Sequence, residues 1–360
     1  MLGDLGADVV KVEAPNGDPL RRTGAIRDNH TFVWSLANRN KRSVVVDFDA
    51  DDGLAFVHQL TAVADVVVLN QPRALLERWG CTYEAIAARN PCAIVVLVSG
   101  YGADGPYADR AGAGTILEAF GGLTHMTGER EGPPMLSSVP IGDYLGAQSG
   151  LQGVLAALYW RDAQGGAGQF VDATMFEAVM QFLGPAMIAW SSEEPVPTRR
   201  GSRLPIATPR NVYQTGDDRW VALSGPTDPQ VSRMLDLLGI TGEARVPFAA
   251  AARRNDPANA NELDRLVADW IARHEVADVI ETMLAARIPI AEVNDVASLL
   301  GNEHVQARAS IATVDDPFLG PLILPAPAPH LSATPMQITS PGPTLGTDEA
   351  VVRRDWLGES

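Results

Sequence analysis

The sequence predicts an α/β protein with a large domain on a doubly wound parallel sheet and a second, smaller α+β domain. Three observations predict it. Short β-branched runs alternate with helical stretches through the first hundred residues, the rhythm of parallel βαβ units. The run Ala93-Ile-Val-Val-Leu-Val98 is wholly apolar, as in a strand covered on both faces. The length of 360 residues, with 46% hydrophobic and 20% charged side chains, suffices for a large core and a smaller one.

In chain order, residues 7–13, 43–47, 65–69 and 93–98 read as strands, residues 53–62 as a helix and 75–79 as a short helix. Three glycines and a proline in Ser99-Gly-Tyr-Gly-Ala-Asp-Gly-Pro106 end regular structure and expose backbone N–H groups at the carboxyl end of the preceding strand. Ligands of open α/β sheets bind at that end. Helices are predicted over 144–160 and 174–190. In the first, Gly146, Ala147, Gly150, Gly153, Ala156 and Ala157 leave one face nearly bare, so something large packs there. Prolines and charges in Ser192-Glu-Glu-Pro-Val-Pro197 mark a linker. Beyond it, 220–223 reads as strand and 262–272 and 276–286 as helices. From 304 onward the chain reads as proline-rich loop. The expected division is 1–195, 196–303 and 304–360.

Asp143 stands between the bend Pro140-Ile-Gly142 and the small-residue helix. As an N-cap it would satisfy free amides and suit the helix dipole. As a nucleophile it would be a rigidly held carboxylate beside a glycine-rich loop. The two readings are compatible.

The chain resembles a known family through an ordered series of motifs: Gly100-Tyr-Gly-Ala-Asp-Gly-Pro-Tyr107, Gly128 to Gly132-Pro-Pro134, Gly142-Asp143, Ala156-Ala-Leu158 with Arg161, and Gly168-Gln-Phe-Val-Asp-Ala-Thr-Met175. Upstream, Gly3-Asp-Leu-Gly-Ala-Asp-Val-Val-Lys-Val-Glu-Ala-Pro15, Asn40-Lys-Arg-Ser43 and Asn70 with Arg78-Trp-Gly80 continue it. Downstream, Ile288-Pro-Ile290, Val293-Asn294 and Leu345-Gly346 do the same. These are similar to the family III CoA-transferases, the group of formyl-CoA, carnitine and bile-acid-inducible F type enzymes, related to the α-methylacyl-CoA racemases.

The resemblance implies CoA transfer between an acyl-CoA and a carboxylic acid through a mixed anhydride and a thioester on Asp143. It implies CoA contacts at Val46, Asp47 and Phe48, at Asn70, Gln71 and Pro72, at Arg78, and at Ala111, Gly112, Ala113 and Gly114. CoA is a substrate in this scheme, and no tightly bound cofactor is implied. It also implies an interlocked homodimer whose tail returns to the first domain. Arg78 suits a phosphate, and equally an ordinary exposed arginine. Met1-Leu-Gly-Asp-Leu-Gly6 reads as the end of a helix where relatives carry a strand and a CoA-facing turn. The expectation is a misassigned start or an incomplete CoA pocket.

Departures sort the activities. Ala113 stands where the racemases carry a catalytic histidine, so one proton carrier is missing and racemase ranks below transferase. A non-catalytic CoA-binding homologue is the third reading. Gly114 replaces an acidic residue common in relatives. Glu118 replaces a frequent Gln and reads as a helix residue or a second acid. The stretch Gly201-Ser-Arg-Leu-Pro205 lacks the glycine run of oxalate-handling relatives.

The charge, 28 basic against 44 acidic residues, argues against a nucleic-acid partner. Polyanionic CoA needs a local exception, and Lys11, Lys41, Arg21, Arg22, Arg27, Arg39 and Arg42 could supply it. Two cysteines, Cys81 and Cys92, are too few for a disulfide framework. The histidines show no ligand spacing, so no metal is expected. No apolar run approaches the roughly 20 residues of a membrane span and no leader opens the sequence, so a cytoplasmic protein is expected. Gly100, Gly102 and Gly105 match a dinucleotide fingerprint only formally, because Pro106 follows where a helix should open.

Overall fold

Valine-rich segments with little room for other structure set the strands. The computed structural model describes residues 1–204 and 206–359, so Pro205 of the Gly201 stretch and Ser360 lie outside the described residues. Its strands are β1 (Val9–Glu13), β2 (Ile26–Arg27), β3 (His30–Thr31), β4 (Lys41–Val45), β5 (Val66–Leu69), β6 (Ile94–Ser99), β7 (Phe170–Thr174), β8 (Arg210–Gln214), β9 (Trp220–Ser224), β10 (Ile290–Glu292), β11 (Ile311–Asp316) and β12 (Gly320–Pro325). Two compact units emerge: Met1–Gly121, Ser138–Gln181 and Leu300–Ser360 form one, and Gly122–Ser137 with Phe182–Leu299 the other.

In the first unit, β5, β6 and β7 run parallel, with Val67 opposite Val95 and Val95 opposite Phe170. β1 and β4 form a second parallel pair, Val9 opposite Lys41. The single doubly wound sheet of the sequence reading is therefore two parallel ladders. β1 bonds only to β4 and β5 only to β6, which leaves each one unpaired edge among the described residues. β7 was not foreseen as a strand. The alternation Val171-Asp172-Ala173-Thr174 was the available signal.

Helices follow these strands in the chain, and of the first nine Leu123–Met126 and Gly184–Ser191 belong to the second unit. The first nine are α1 (Phe32–Ala37), α2 (Asp51–Val63), α3 (Arg73–Arg78), α4 (Tyr83–Arg89), α5 (Gly114–Phe120), α6 (Leu123–Met126), α7 (Ile141–Gln164), α8 (Met175–Met180) and α9 (Gly184–Ser191). Helical spacing lets α2 bury Phe56, Val57 and Leu60 against Val44, Val46 and Leu76. The bare face of α7 meets β6, β7 and the start of α8. A Cβ at Gly150 would lie 3.4 Å from Ala173 and Val98, at Gly153 2.5 Å from Val171, and at Gly146 2.6 Å from Met175. Side chains at Gly146 and Gly153 would force their neighbours or the helix to shift, whereas a Cβ at Gly150 would make ordinary contact. The predicted helix over 174–190 is interrupted by a 3-10 turn, Gln181–Leu183, before Gly184 and Pro185. Pro185 cannot donate the amide that a continuous helix requires.

The second unit is α+β. Its antiparallel sheet has the order β10-β9-β8, and helices Asp228–Leu237, Pro257–Ile271 and Val276–Ala285 bury Val231, Met234, Leu235, Leu263, Val267, Ile271, Val279 and Met283. The tail, read as loop, contains the β11–β12 hairpin. Within the first unit, to which the tail belongs, it is fastened to the neighbourhood of the amino-terminal strands where Asn40 Oδ1 accepts from Thr339 N at 2.7 Å, Asp348 from Ser43 N at 2.8 Å, and Asp8 from Trp356 Nε1 at 2.8 Å. No helix of the described residues is long and apolar enough to cross a membrane.

Replacing Gly153 by Leu is expected to lower unfolding stability by about 1–3 kcal/mol through overpacking. Gly184→Ala, with nothing within 4 Å of the added carbon, is expected to stay within about 0.5 kcal/mol. Urea denaturation checks both.

Candidate active site

At the end of β6 the chain turns through glycines because close neighbours leave no space. A Cβ at Gly100 would stand 3.0 Å from Leu117 and 3.6 Å from Gly112 Cα. Gly102 and Gly105 hold φ of 99° and 85°, the left-handed region that favours glycine. Ser99 Oγ accepts from Gly102 N at 3.0 Å and Asp172 Oδ2 from Ala103 N at 2.8 Å, which tethers the loop to β6 and β7. No helix opens after Gly105; the next, α5, begins at Gly114. Tyr101, Tyr107, Phe120 and Phe176 make an edge-on aromatic cluster beside it, with Tyr101 and Phe120 5.1 Å apart.

α7 starts two residues before Asp143. Pro140 occupies the cap, so Asp143 lies in the first turn and the N-cap reading of the sequence is corrected. An acidic side chain there still suits the positive end of the helix. The starts of α5 and α7 touch through glycine. A Cβ at Gly142 would fall 2.5 Å from the Gly114 carbonyl oxygen, and a Cβ at Gly114 only 1.7 Å from Asp143 Oδ2. The Asp143 carboxylate thus rests on a bare Cα. Its side chain is exposed and makes no hydrogen bond or ion pair among the described residues.

Directly beneath, Glu118 is 1% exposed, and its Oε1 accepts from Gly142 N at 3.0 Å. The plain helix-residue reading of Glu118 missed this bond. The signal was its spacing, four residues after Gly114 and so on the same helical face.

Other expected contacts fall into two groups. Exposed Ala111, Gly112 and Ala113 run into Gly114 and hence to Asp143. Val46, Asp47, Phe48, Asn70, Gln71 and Pro72 follow the carboxyl ends of β4 and β5. There Val46 is buried, Phe48 stacks on Trp79 at 4.3 Å, and Arg78 is paired with Asp49 at the surface. Most of the basic cluster of the first 42 residues is already engaged, whereas exposed Arg22 and Arg27 make no ion pair among the described residues. Lys11 pairs with Asp18, Arg21 with Glu13, Arg39 with Asp4, and Arg42 with Asp8 and Asp355. Lys41 donates to Ala37 O and Asn38 Oδ1, and burial, aided by Lys11, lowers its pKa to about 8. Passed over in the sequence was Arg110, exposed and stacked 3.3 Å over Tyr107, with no ion pair among the described residues. No cluster of three or more potential metal ligands occurs among the described residues.

A family model for CoA-transferase family III matches residues 1–349. The chain belongs to that family. It is 36% identical to the succinyl-CoA–L-malate CoA-transferase β subunit of Chloroflexus aurantiacus, over 99% of this chain and 89% of that one. It is 35% identical to the succinyl-CoA–D-citramalate CoA-transferase of the same organism, with the same coverage. A CAIB/BAIF family protein from Brucella suis superposes with a TM-score of 0.84 at 29% identity, over 99% of this chain and 93% of that one. This family III chain is accordingly a CoA-transferase, acting on CoA thioesters.

Gly114→Ala tests the seat of the carboxylate. Its methyl group would stand 1.7 Å from Asp143 Oδ2 and push the carboxylate aside, and a displacement of about 1 Å is expected to cost about 10²-fold in kcat. Steady-state transfer assays check this, with a thermal melt to show that the variant folds.

Proposed function

We propose that the enzyme transfers CoA between an acyl-CoA and a free carboxylic acid with Asp143 as the covalent carrier. The observation that carries the reading is an exposed carboxylate in the first turn of α7, seated against Gly114 and without a competing partner among the described residues. Asp143 attacks the donor thioester carbonyl, forming a mixed anhydride as the C–S bond breaks and CoA leaves as thiolate. The thiolate attacks the aspartyl carbonyl, releases the donor acid and leaves an aspartyl-CoA thioester. The acceptor carboxylate attacks that thioester to form the second anhydride, and the thiolate then takes the acceptor acyl group and frees Asp143. Covalent passage divides one difficult displacement into easier ones.

Backbone amides of the Gly112-Ala113-Gly114 segment, beside the carboxylate, are donors of the kind that stabilise the oxyanion of each tetrahedral intermediate. Water must stay out, since anhydrides hydrolyse. The names of two relatives, for succinyl-CoA with L-malate and with D-citramalate, support dicarboxylic acids as the first substrates to try. The working unit in this reading is an interlocked homodimer in the cytoplasm. Exposed Tyr144, Leu155, Tyr159 and Trp160 on α7 and Ile188 and Trp190 on α9 support burial against a second copy.

Incubation with succinyl-CoA and hydroxylamine, followed by peptide mass analysis, is expected to give a hydroxamate at Asp143. Asp143→Asn is expected to lose transfer by at least about 10³-fold. Transfer with an unmodified Asp143, or normal turnover of the asparagine variant, would defeat the reading.

A further inference from the structure

We infer that Glu118 is a positioning residue that fixes the start of α7, and with it Asp143, by accepting the Gly142 amide; this rests on the reading of Asp143 as nucleophile. α7 lacks a side-chain cap, because Pro140 has no acceptor to offer. Its first amides find partners elsewhere. Ile141 N donates to Val139 O at 2.8 Å and Gly142 N to Glu118 Oε1 at 3.0 Å, before Tyr144 N opens the ordinary helical ladder to Pro140 O at 3.2 Å. The Glu118 acceptor is a buried side chain from another helix, so it sets the position of one helix start against the other.

The geometry on α5 makes the bond specific to the site. Gly114 and Glu118 are one turn apart on one face. The first receives the Asp143 carboxylate on its Cα, and the second holds the amide of the residue just before Asp143. With glycine at both 114 and 142, no side chain at either position wedges the two helix starts into register. Glutamine keeps an acceptor oxygen of the same reach; leucine fills similar volume with none; aspartate is one carbon short.

Glu118→Leu is expected to lower kcat about 10²-fold, the scale of a misplaced catalytic group, with KM for acyl-CoA changed less than about threefold. Glu118→Gln should recover most of that loss, within about fivefold of the parent enzyme. Hydrogen exchange of the peptide spanning 138–146 should accelerate in the leucine variant and not in the glutamine variant. Parent-like kcat in Glu118→Leu, or a glutamine variant as impaired as the leucine one, overturns the inference. If the leucine variant does not fold, Glu118→Asp takes its place, and activity equal to that of Glu118→Gln is the contrary result. Asp143→Asn assayed in parallel keeps the two ideas apart. Transfer by that variant removes the nucleophile reading, whereas the exchange data report the Glu118–Gly142 bond whatever the chemistry.

Discussion

The close approach of Gly114 and Gly142 governs the site. Two helices meet end to end with backbone against backbone, and that contact leaves a carboxylate lying on a bare α-carbon. Each partner is secured independently. α7 lies on β6 and β7 through Gly150 and Gly153, and α5 sits against the end of β6 through Leu117, which fills the space beside Gly100 and Gly112. The result is an acid side chain fixed at its root and open at its tip. A covalent carrier needs that combination, since it must be aimed yet reachable.

Electrostatics refines the picture of substrate binding. A chain with a net charge of −16 repels a polyanion at long range, and most amino-terminal cations are already neutralised by carboxylates. Those pairs fasten β1, β4 and the tail together. Buried Glu13 shows the cost and its remedy. Desolvation pushes its carboxyl up, but bonds from Arg21, Ser43 and the Asp18 amide outweigh it, so the group titrates below the ordinary range. In the proposed function, phosphate recognition therefore falls to exposed arginines without an ion pair among the described residues, such as Arg110, Arg22 and Arg27, and to backbone at strand ends.

Much of the fold was legible because its signals are local. The valine runs gave β1, β5 and β6, and the small-residue face of α7 announced a close packing partner, which proved to be β6, β7 and Met175. The motif series gave the family, which the comparisons establish. What escaped the sequence depends on where chains meet. Asp143 was misread as a cap because the bend at Pro140 starts the helix three residues early. Glu118 looked ordinary because its partner lies 24 residues away in sequence. The basic cluster looked free because its pairing is made by the fold: Asp4 and Asp8 precede its members in sequence, Glu13 and Asp18 lie among them, and Asp355 lies at the far end of the chain. The two separate parallel ladders follow from hydrogen bonding between strands, which periodicity alone does not report.

Oxygen tracing tests the central claim most directly. When the acceptor carboxylate attacks the aspartyl thioester, one of its oxygens becomes the anhydride bridge and stays on the enzyme once CoA departs with the acyl group. With an acceptor acid labelled with oxygen-18 in its carboxylate, turnover should deposit heavy oxygen in the side chain of Asp143, read by mass analysis of its peptide. Accumulation of the product thioester with no heavy oxygen in that residue would contradict the account.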